Sequence, residues 1–288
     1  MRFAGAGARR PGLAIGANVP AMAPPHEFAP PPARWLSHGA THPGLVRPVN
    51  EDAFHSDVEQ GVFIVADGMG GHSSGDLASR LAVDVVRGFL EQSRTDKGIT
   101  WPFGIDLDLT HDGNRVRTAI RLANSRLFKT AAEQAEHDGM GTTVVAAVLE
   151  GDVITFGSIG DSRLYLCHGG RLEQLTQDDT WVAAVLASDP GVDPALLEAH
   201  PMRHVLTEAV GTGEETSVAI LSHELTVGDV LLLCTDGLHG AVSAGELQRI
   251  LQADASASPT AACAALIDAA LAAGARDNVT AVVLRRGA

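Results

Sequence analysis

Two apolar runs in this 288-residue chain end in the same way. Val62-Phe63-Ile64-Val65-Ala66 runs into Asp67-Gly68-Met69-Gly70-Gly71-His72, and Val230-Leu231-Leu232-Leu233-Cys234 runs into Thr235-Asp236-Gly237. Short uninterrupted apolar runs of this kind predict buried strands. The glycines free the backbone to turn sharply and let another group approach closely. A carboxylate at the end of a rigid strand, beside bare backbone, suits a hard cation or a phosphate. One such site alone reads as an Asp-Gly hairpin turn; the repetition shifts the balance toward chemistry.

Between and around these runs the period changes. Gly75 to Gln92 predicts a helix, with Leu77, Leu81, Val85 and Phe89 as its apolar stripe and Ser73 or Ser74 as its cap. Asn114 to His137 predicts a second helix, with Val116, Ile120, Ala123 and Leu127 on one face and Gly139 and Gly141 beyond its end. Thr142 to Leu149, Val153 to Ile159 and Arg163 to Cys167 are rich in β-branched residues and separated by short turn sequences. They predict an antiparallel meander, because such short links cannot make parallel crossovers. Short helices are expected over Asp179–Leu186 and Pro194–Ala199, and strands over Val218–Leu225 and Val230–Cys234. Ser243-Ala244-Gly245-Glu246 is a capping box opening a helix, and Ser258-Pro259 opens another that ends before Gly274. Asn278 to Leu284 closes the chain as a strand behind Arg276-Asp277. The order is not a βαβ alternation. It predicts an α+β fold, with helices packed outside antiparallel sheets in one domain spanning residues 34–288.

Composition narrows the class. Residues 1–33 are rich in Ala, Gly and Pro, which bury little, and are expected to form a disordered leader. A formal net charge of −14 argues against nucleic acid as a partner. A phosphate substrate would need local positive charge from a few arginines or from metal ions. Cys167, Cys234 and Cys263 are far apart and make no C-x-x-C pair, which fits a reducing compartment and gives no zinc site. No apolar run is long enough to predict a membrane span. A cytoplasmic, monomeric protein is the expectation.

The acidic residues that stand out are Glu51-Asp52, Asp67, Asp161, Asp236 and Asp277. Each could be a turn residue or a solvated cap. Gathered in one place they would repel unless cations neutralised them. All-oxygen ligands select Mg²⁺, Mn²⁺ or Ca²⁺ over Zn²⁺. A pair of such ions can clamp a phosphate and activate a water.

The chain resembles the metal-dependent serine/threonine protein phosphatases of type 2C, in their bacterial form. The matching segments occur in the family's order: Arg47-x-x-Asn50-Glu51-Asp52, Val65-Ala66-Asp67-Gly68-Met69-Gly70-Gly71-His72, Gly139-Met140-Gly141-Thr142-Thr143, Gly160-Asp161-Ser162-Arg163, Leu175-Thr176-Gln177-Asp178, Leu206-Thr207-Glu208-Ala209-Val210-Gly211, Thr235-Asp236-Gly237-Leu238 and Arg276-Asp277-Asn278-Val279-Thr280. The resemblance implies a four-layer αββα sandwich, with helix pairs on the outer faces of two central, mostly antiparallel sheets. It implies two or three Mn²⁺ or Mg²⁺ ions. Asp67 would bridge two of them, the Gly68 carbonyl would complete the first shell, and Asp236 and Asp277 would hold the second ion. Asp161 with Asp236 would hold a weaker third. Glu51 and Asp52 would act through coordinated waters, and Arg47 would bind the substrate phosphate through its guanidinium fork.

The implied reaction is hydrolysis of phosphoserine or phosphothreonine in proteins by a metal-bridging hydroxide, opposing a serine/threonine kinase. The alternative is a catalytically silent regulatory or binding module on the same fold. It would predict loss of Asp67, Asp236 or Asp277, and all three are present. A third possibility keeps the chemistry but acts on a regulator of transcription or secretion. Met69 stands where many eukaryotic members carry His, and His72 reads as structural. Asp179 stands where bacterial members often have His, in a segment expected to flank the active site. Asp179 and Trp181 are therefore expected to affect substrate choice.

Overall fold

The computed structural model describes residues 35–286 apart from 72–73, 97, 190, 194–195, 198–199 and 253–257. The expected leader, His72, Ser73 and most of the expected helix at Pro194–Ala199 lie outside the described residues.

Two antiparallel sheets carry the fold. One has the order β1 (Trp35–His42), β11 (Val279–Arg286), β10 (Val230–Cys234), β7 (Arg163–His168), β8 (Arg171–Gln174). The other runs β2 (Asp52–Asp57), β3 (Val62–Met69), β5 (Val144–Glu150), β6 (Val153–Ile159), β9 (Ile220–Glu224), with the two-residue β4 (Gly141–Thr142) on the far end of β3. Helices α1 (Ser74–Thr95) and α2 (His111–Glu133) cover the second sheet. Helices α5 (Ala244–Gln252) and α6 (Pro259–Ala272) cover the first. Between them in the chain lie α3 (Trp181–Ser188) and the single turn α4 (Asp236–His239). This is the expected αββα sandwich.

The uninterrupted apolar runs follow from burial on both faces. Val62, Ile64 and Ala66 face α1 and α2, while Phe63 and Val65 face the opposite sheet. In β10, Val230, Leu232 and Cys234 face α5 and α6, while Leu231 and Leu233 face inward. Each inward Leu or Phe contributes about 1.5–3 kcal/mol by leaving water. In α1 the fully buried stripe is Ala78, Ala82, Val86 and Leu90, one position beyond the predicted one. Leu77, Leu81 and Val85 form its partly buried rim, because small residues let the helix sit close to the sheet.

Two expectations are corrected. The strand at Val62 does not stop before Asp67 but continues through Asp67-Gly68 to Met69, because β4 pairs with Gly68 and Met69. The predicted meander also breaks after β6. Strands β5 and β6 pair, as do β7 and β8, but β7 joins the other sheet beside β10. Gly160, at a φ of 94°, turns the chain out of the second sheet and toward the first. Leu164 and Leu166 then enter the core between the sheets. Asp161 sits on this crossing.

Candidate active site

The ends of β3, β10 and the segment before β11 open into one cleft of about 720 Å³. Its wall holds Arg47, Glu51, Asp67, Gly68, Asp161, Asp236 and Asp277. Of the residues predicted for the site, Asp52 alone is not in that wall.

Each acid is positioned by backbone or hydroxyl contacts. The Asp67 amide donates to Thr143 Oγ1 at 3.0 Å, and its carbonyl accepts from the Thr143 amide at 2.9 Å and from Thr142 Oγ1 at 2.8 Å. Thr143 Oγ1 also meets Ser162 Oγ at 2.7 Å, next to Asp161. The Thr142-Thr143 pair therefore ties the Asp67 strand to the Asp161 crossing. Asp161 is further fixed by its carbonyl, which accepts from His239 Nε2 at 2.9 Å.

Asp52 lies behind the cleft, opposite Asp67 in the β2–β3 register. Its Oδ2 accepts from Thr235 Oγ1 at 2.8 Å and from Thr280 Oγ1 at 2.6 Å. It thus draws together the chain before Asp236 and the chain after Asp277. Its other oxygen is buried without a partner. Asn278 is a second bracket. Its side-chain carbonyl accepts from the Glu51 amide at 2.8 Å, and its amide donates to the carbonyls of Pro43 and Val49 at 3.0 Å each.

The glycines are required by close approach. A Cβ on Gly68 would stand 1.9 Å from the Gly75 carbonyl oxygen, and a Cβ on Gly237 would stand 1.9 Å from that of Asn278.

The electrostatics are those of crowded acids short of positive charge. Burial, then the charges of Asp52 and Asp236, hold the Asp67 carboxyl well above the usual range. Burial and Asp236 push Asp161 up to about 7. Burial raises Asp52 to about 7 despite its two hydroxyl donors, and burial and Asp277 raise Asp236. Among the described residues, the one ion pair to this set is Arg47 with Asp277, at 2.8 Å. Burial and Arg163 lower the ring of His239 to about 4, so it is a neutral donor to Asp161.

This donor set fits divalent cations. The donors are oxygens, Asp236 Oδ1 is buried with no partner, and the acids resist ionising without added positive charge. As the side chains stand, no three acid, His or Cys groups among the described residues already close into a coordination shell. Asp277 is engaged by Arg47.

Sequence reasoning found the acids and Arg47 but assigned no role to Thr143, Asn278, His239 or the Thr235/Thr280 pair. All of these except His239 lie inside the matching segments, so the signal is present in the sequence without its geometry. His204 also lines the cleft, and nothing in its sequence context marked it. Asp179 belongs to the scaffold of the crossing. Its Oδ2 accepts from the Gly160 amide at 3.0 Å, and its own amide donates to the Gly160 carbonyl at 2.9 Å. Trp181 stacks on His200 with ring centroids 4.4 Å apart.

A sandwich whose strand ends gather acids and one arginine in this way defines a class of protein that holds divalent cations beside a phosphate group. The chain belongs to the protein phosphatase 2C family, whose model matches residues 46–272. It is 35% identical over 242 residues to the serine/threonine protein phosphatase PstP of Mycobacterium tuberculosis, covering 83% of this chain but only 43% of that protein. It is 31% identical over 253 residues to the serine/threonine phosphatase stp of Listeria welshimeri, covering 85% of this chain and 94% of that protein. A crystal structure of the PstP catalytic domain in complex with two manganese ions superposes with a TM-score of 0.71 at 32% identity, covering 87% of this chain and 97% of that one.

Proposed function

We propose that this chain removes phosphate from phosphoserine and phosphothreonine in proteins, with Mn²⁺ or Mg²⁺ as cofactor, and so opposes a serine/threonine kinase. The observation that carries this reading is the convergence of Asp67, Asp161, Asp236 and Asp277 with Arg47 on one cleft. Asp67, with the Gly68 carbonyl, Asp236 and Asp277, would hold two divalent ions, and Asp161 with Asp236 a third. Bound there, the ions supply charge neutralisation and an activated water.

The chain's own residues do the rest. Arg47 presents a planar fork that matches two phosphate oxygens, and it is half-exposed at the cleft mouth. Thr142 and Thr143 fix the Asp67 backbone, so its carboxylate is aimed by the sheet and not by a loop. Asp52, from behind the cleft, and Asn278, at its wall, hold the acid-bearing segments in register. Glu51 lines the wall, where burial raises its carboxyl; it would act through ordered water.

The same proposal places the protein in the cytoplasm as a monomer. Three buried free cysteines fit a reducing compartment. No helix among the described residues is long and apolar enough to cross a membrane.

The test is hydrolysis of a phosphothreonine peptide with Mn²⁺, with Mg²⁺ and with excess chelator, beside Asp67→Asn. Metal-dependent turnover should fall on the order of 10³-fold in the variant. Retained turnover in a folded Asp67→Asn protein would sink the assignment. No turnover by the wild type with any metal would favour the silent module.

A further inference from the structure

The loop that carries Arg47 reads Leu45-Val46-Arg47-Pro48-Val49, and three of its five side chains are large, apolar and in water. Leu45 is 61% exposed, Val46 58% and Val49 49%. Single exposed apolar residues are ordinary, but a cluster beside a functional cleft marks a binding surface. The loop is also held still. Asn278 donates to the carbonyls at both of its ends, Pro43 and Val49, and the Leu45 amide donates to the Ala275 carbonyl at 2.9 Å. At Gly44, φ is 77° and a Cβ would lie 2.1 Å from the Asp277 carbonyl oxygen, so the loop is laid directly on the acid-bearing segment. Pro48 restricts Arg47 to extended backbone. Exposure is therefore imposed by the architecture.

A second segment along the same cleft repeats the chemistry. His204 and Leu206 line the cleft, and Val205 between them is 44% exposed. The segment is tied down by the Thr180–Leu206 bridge and by the Trp181 amide donating to the Val205 carbonyl. Two fixed segments that each send residues into the cleft wall, Arg47 from one and His204 and Leu206 from the other, thus also carry exposed aliphatic side chains next to those residues in the chain. The polar wall of the cleft is acidic, including Glu51 and Glu208, within a chain of net charge −14. Acidic residues beside the phosphate would meet repulsion there, whereas aliphatic ones would meet a preorganised surface.

Resting on the phosphatase reading, we propose that Leu45, Val46, Val49 and Val205 form a specificity rim. It selects protein segments with aliphatic, non-acidic residues next to the phosphorylated side chain. The rim seats the neighbours of the phosphoresidue while Arg47 takes the phosphate.

The experiment uses the Mn²⁺-loaded full chain and three phosphothreonine peptides of equal length, flanked by Leu and Val, by Ser, or by Glu. A small aryl phosphate, p-nitrophenyl phosphate, serves as the substrate without neighbours. The wild type should favour the aliphatic peptide over the Ser peptide by about tenfold in kcat/KM, and the Glu peptide should be poorest. Leu45→Ser/Val46→Ser/Val49→Ser should abolish the preference while aryl phosphate turnover stays within about twofold. Val205→Ser, outside the Arg47 loop, should reduce the preference in part. Equal rates for the three peptides, or a Glu preference, would overturn the rim. An equal fall for peptide and aryl phosphate in the triple variant, with no effect of Val205→Ser, would also overturn it, since the loop would then serve only to place Arg47. Fluorescence anisotropy of the labelled peptides separates the two readings. If the wild type turns over nothing, the phosphatase reading falls, and a binding preference lost in both variants would still support the rim, whereas equal binding of all three peptides would overturn it.

Discussion

Asp67 lies inside a strand, with Asp52 of β2 opposite it and β4 pairing at the next residue. Asp236, in the same Asp-Gly setting after the same kind of apolar run, opens a four-residue helix just beyond the end of β10. The first acid has its amide and carbonyl locked by Thr142 and Thr143. The second is held through its neighbour Thr235, whose hydroxyl reaches Asp52. What the two steps share is a crossing backbone. In each, another chain segment passes so close to the glycine that only hydrogen fits. Like local sequence therefore marks a like contact and not a like conformation. The consequence for the cleft is one acid set by the sheet and one set by a single turn.

Alanine at each glycine tests that difference with the largest expected effect. At Gly68 the added methyl meets the Gly75 carbonyl in the first turn of α1 at 1.9 Å and the Glu51 carbonyl just before β2 at 2.8 Å, so it is caught between two backbone segments. Gly68→Ala should cost about 3 kcal/mol or more in urea unfolding. Gly237→Ala meets one carbonyl, and the α4 turn can shift away from it, so about 1–2 kcal/mol is expected. Equal costs would mean that the turn is as rigid as the strand.

A smaller effect is expected from pH, and it tests the acids as a group. Asp161 and Asp52 have folded-state values near 7 against ordinary values near 3.8. A carboxyl raised on folding binds its proton more tightly in the folded state. Its contribution to stability is full below about pH 4 and is lost as pH climbs through about 7. Metal-free protein should therefore lose on the order of 2 kcal/mol between about pH 5 and pH 8. Mn²⁺ should restore more stability at pH 8 than at pH 5, because cation and proton compete for the same oxygens. Thermal melts at the two pH values, with metal and with chelator, measure it. A metal-free protein that grows more stable toward pH 8 would show that these acids are not crowded.

Much of this was legible in the sequence because each signal was local. The buried strands show in unbroken apolar runs, the Ser243 and Ser258 caps in their spacing, and the acids in their position after those runs. Residues Val116, Ile120, Ala123 and Leu127 are all buried as their helical spacing predicts. What was not legible depends on pairs distant in the chain. The three-residue link at Gly160 reads as a hairpin, and only the pairing of β7 with β10 shows that it changes sheets. Asp52 reads as a cleft residue because it sits beside Glu51. Strand alternation sends the two side chains to opposite sides, and the hydroxyls of Thr235 and Thr280, far along the chain, hold Asp52 behind the wall. Asn278 shows in a motif, but its grip on Pro43 and Val49 does not.

The smallest effect on stability is expected at Arg47, and it separates the scaffold from the chemistry. Its pair with Asp277 at 2.8 Å is open to water, with side-chain exposures of 50% and 40%. A pair so exposed contributes about 0.5 kcal/mol or less. Arg47→Ala should thus leave the urea midpoint almost unchanged, unlike either glycine substitution. The same change removes the one guanidinium among the described residues of the cleft wall and should lower kcat/KM on a phosphothreonine peptide by about 10²-fold. Arg47→Lys should recover only part of that loss, since an ammonium keeps the charge but not the two-pronged geometry. Full recovery by lysine would reduce Arg47 to a source of charge. A large fall in stability would instead place it with Asp52 and Asn278, as a tie between acid-bearing segments.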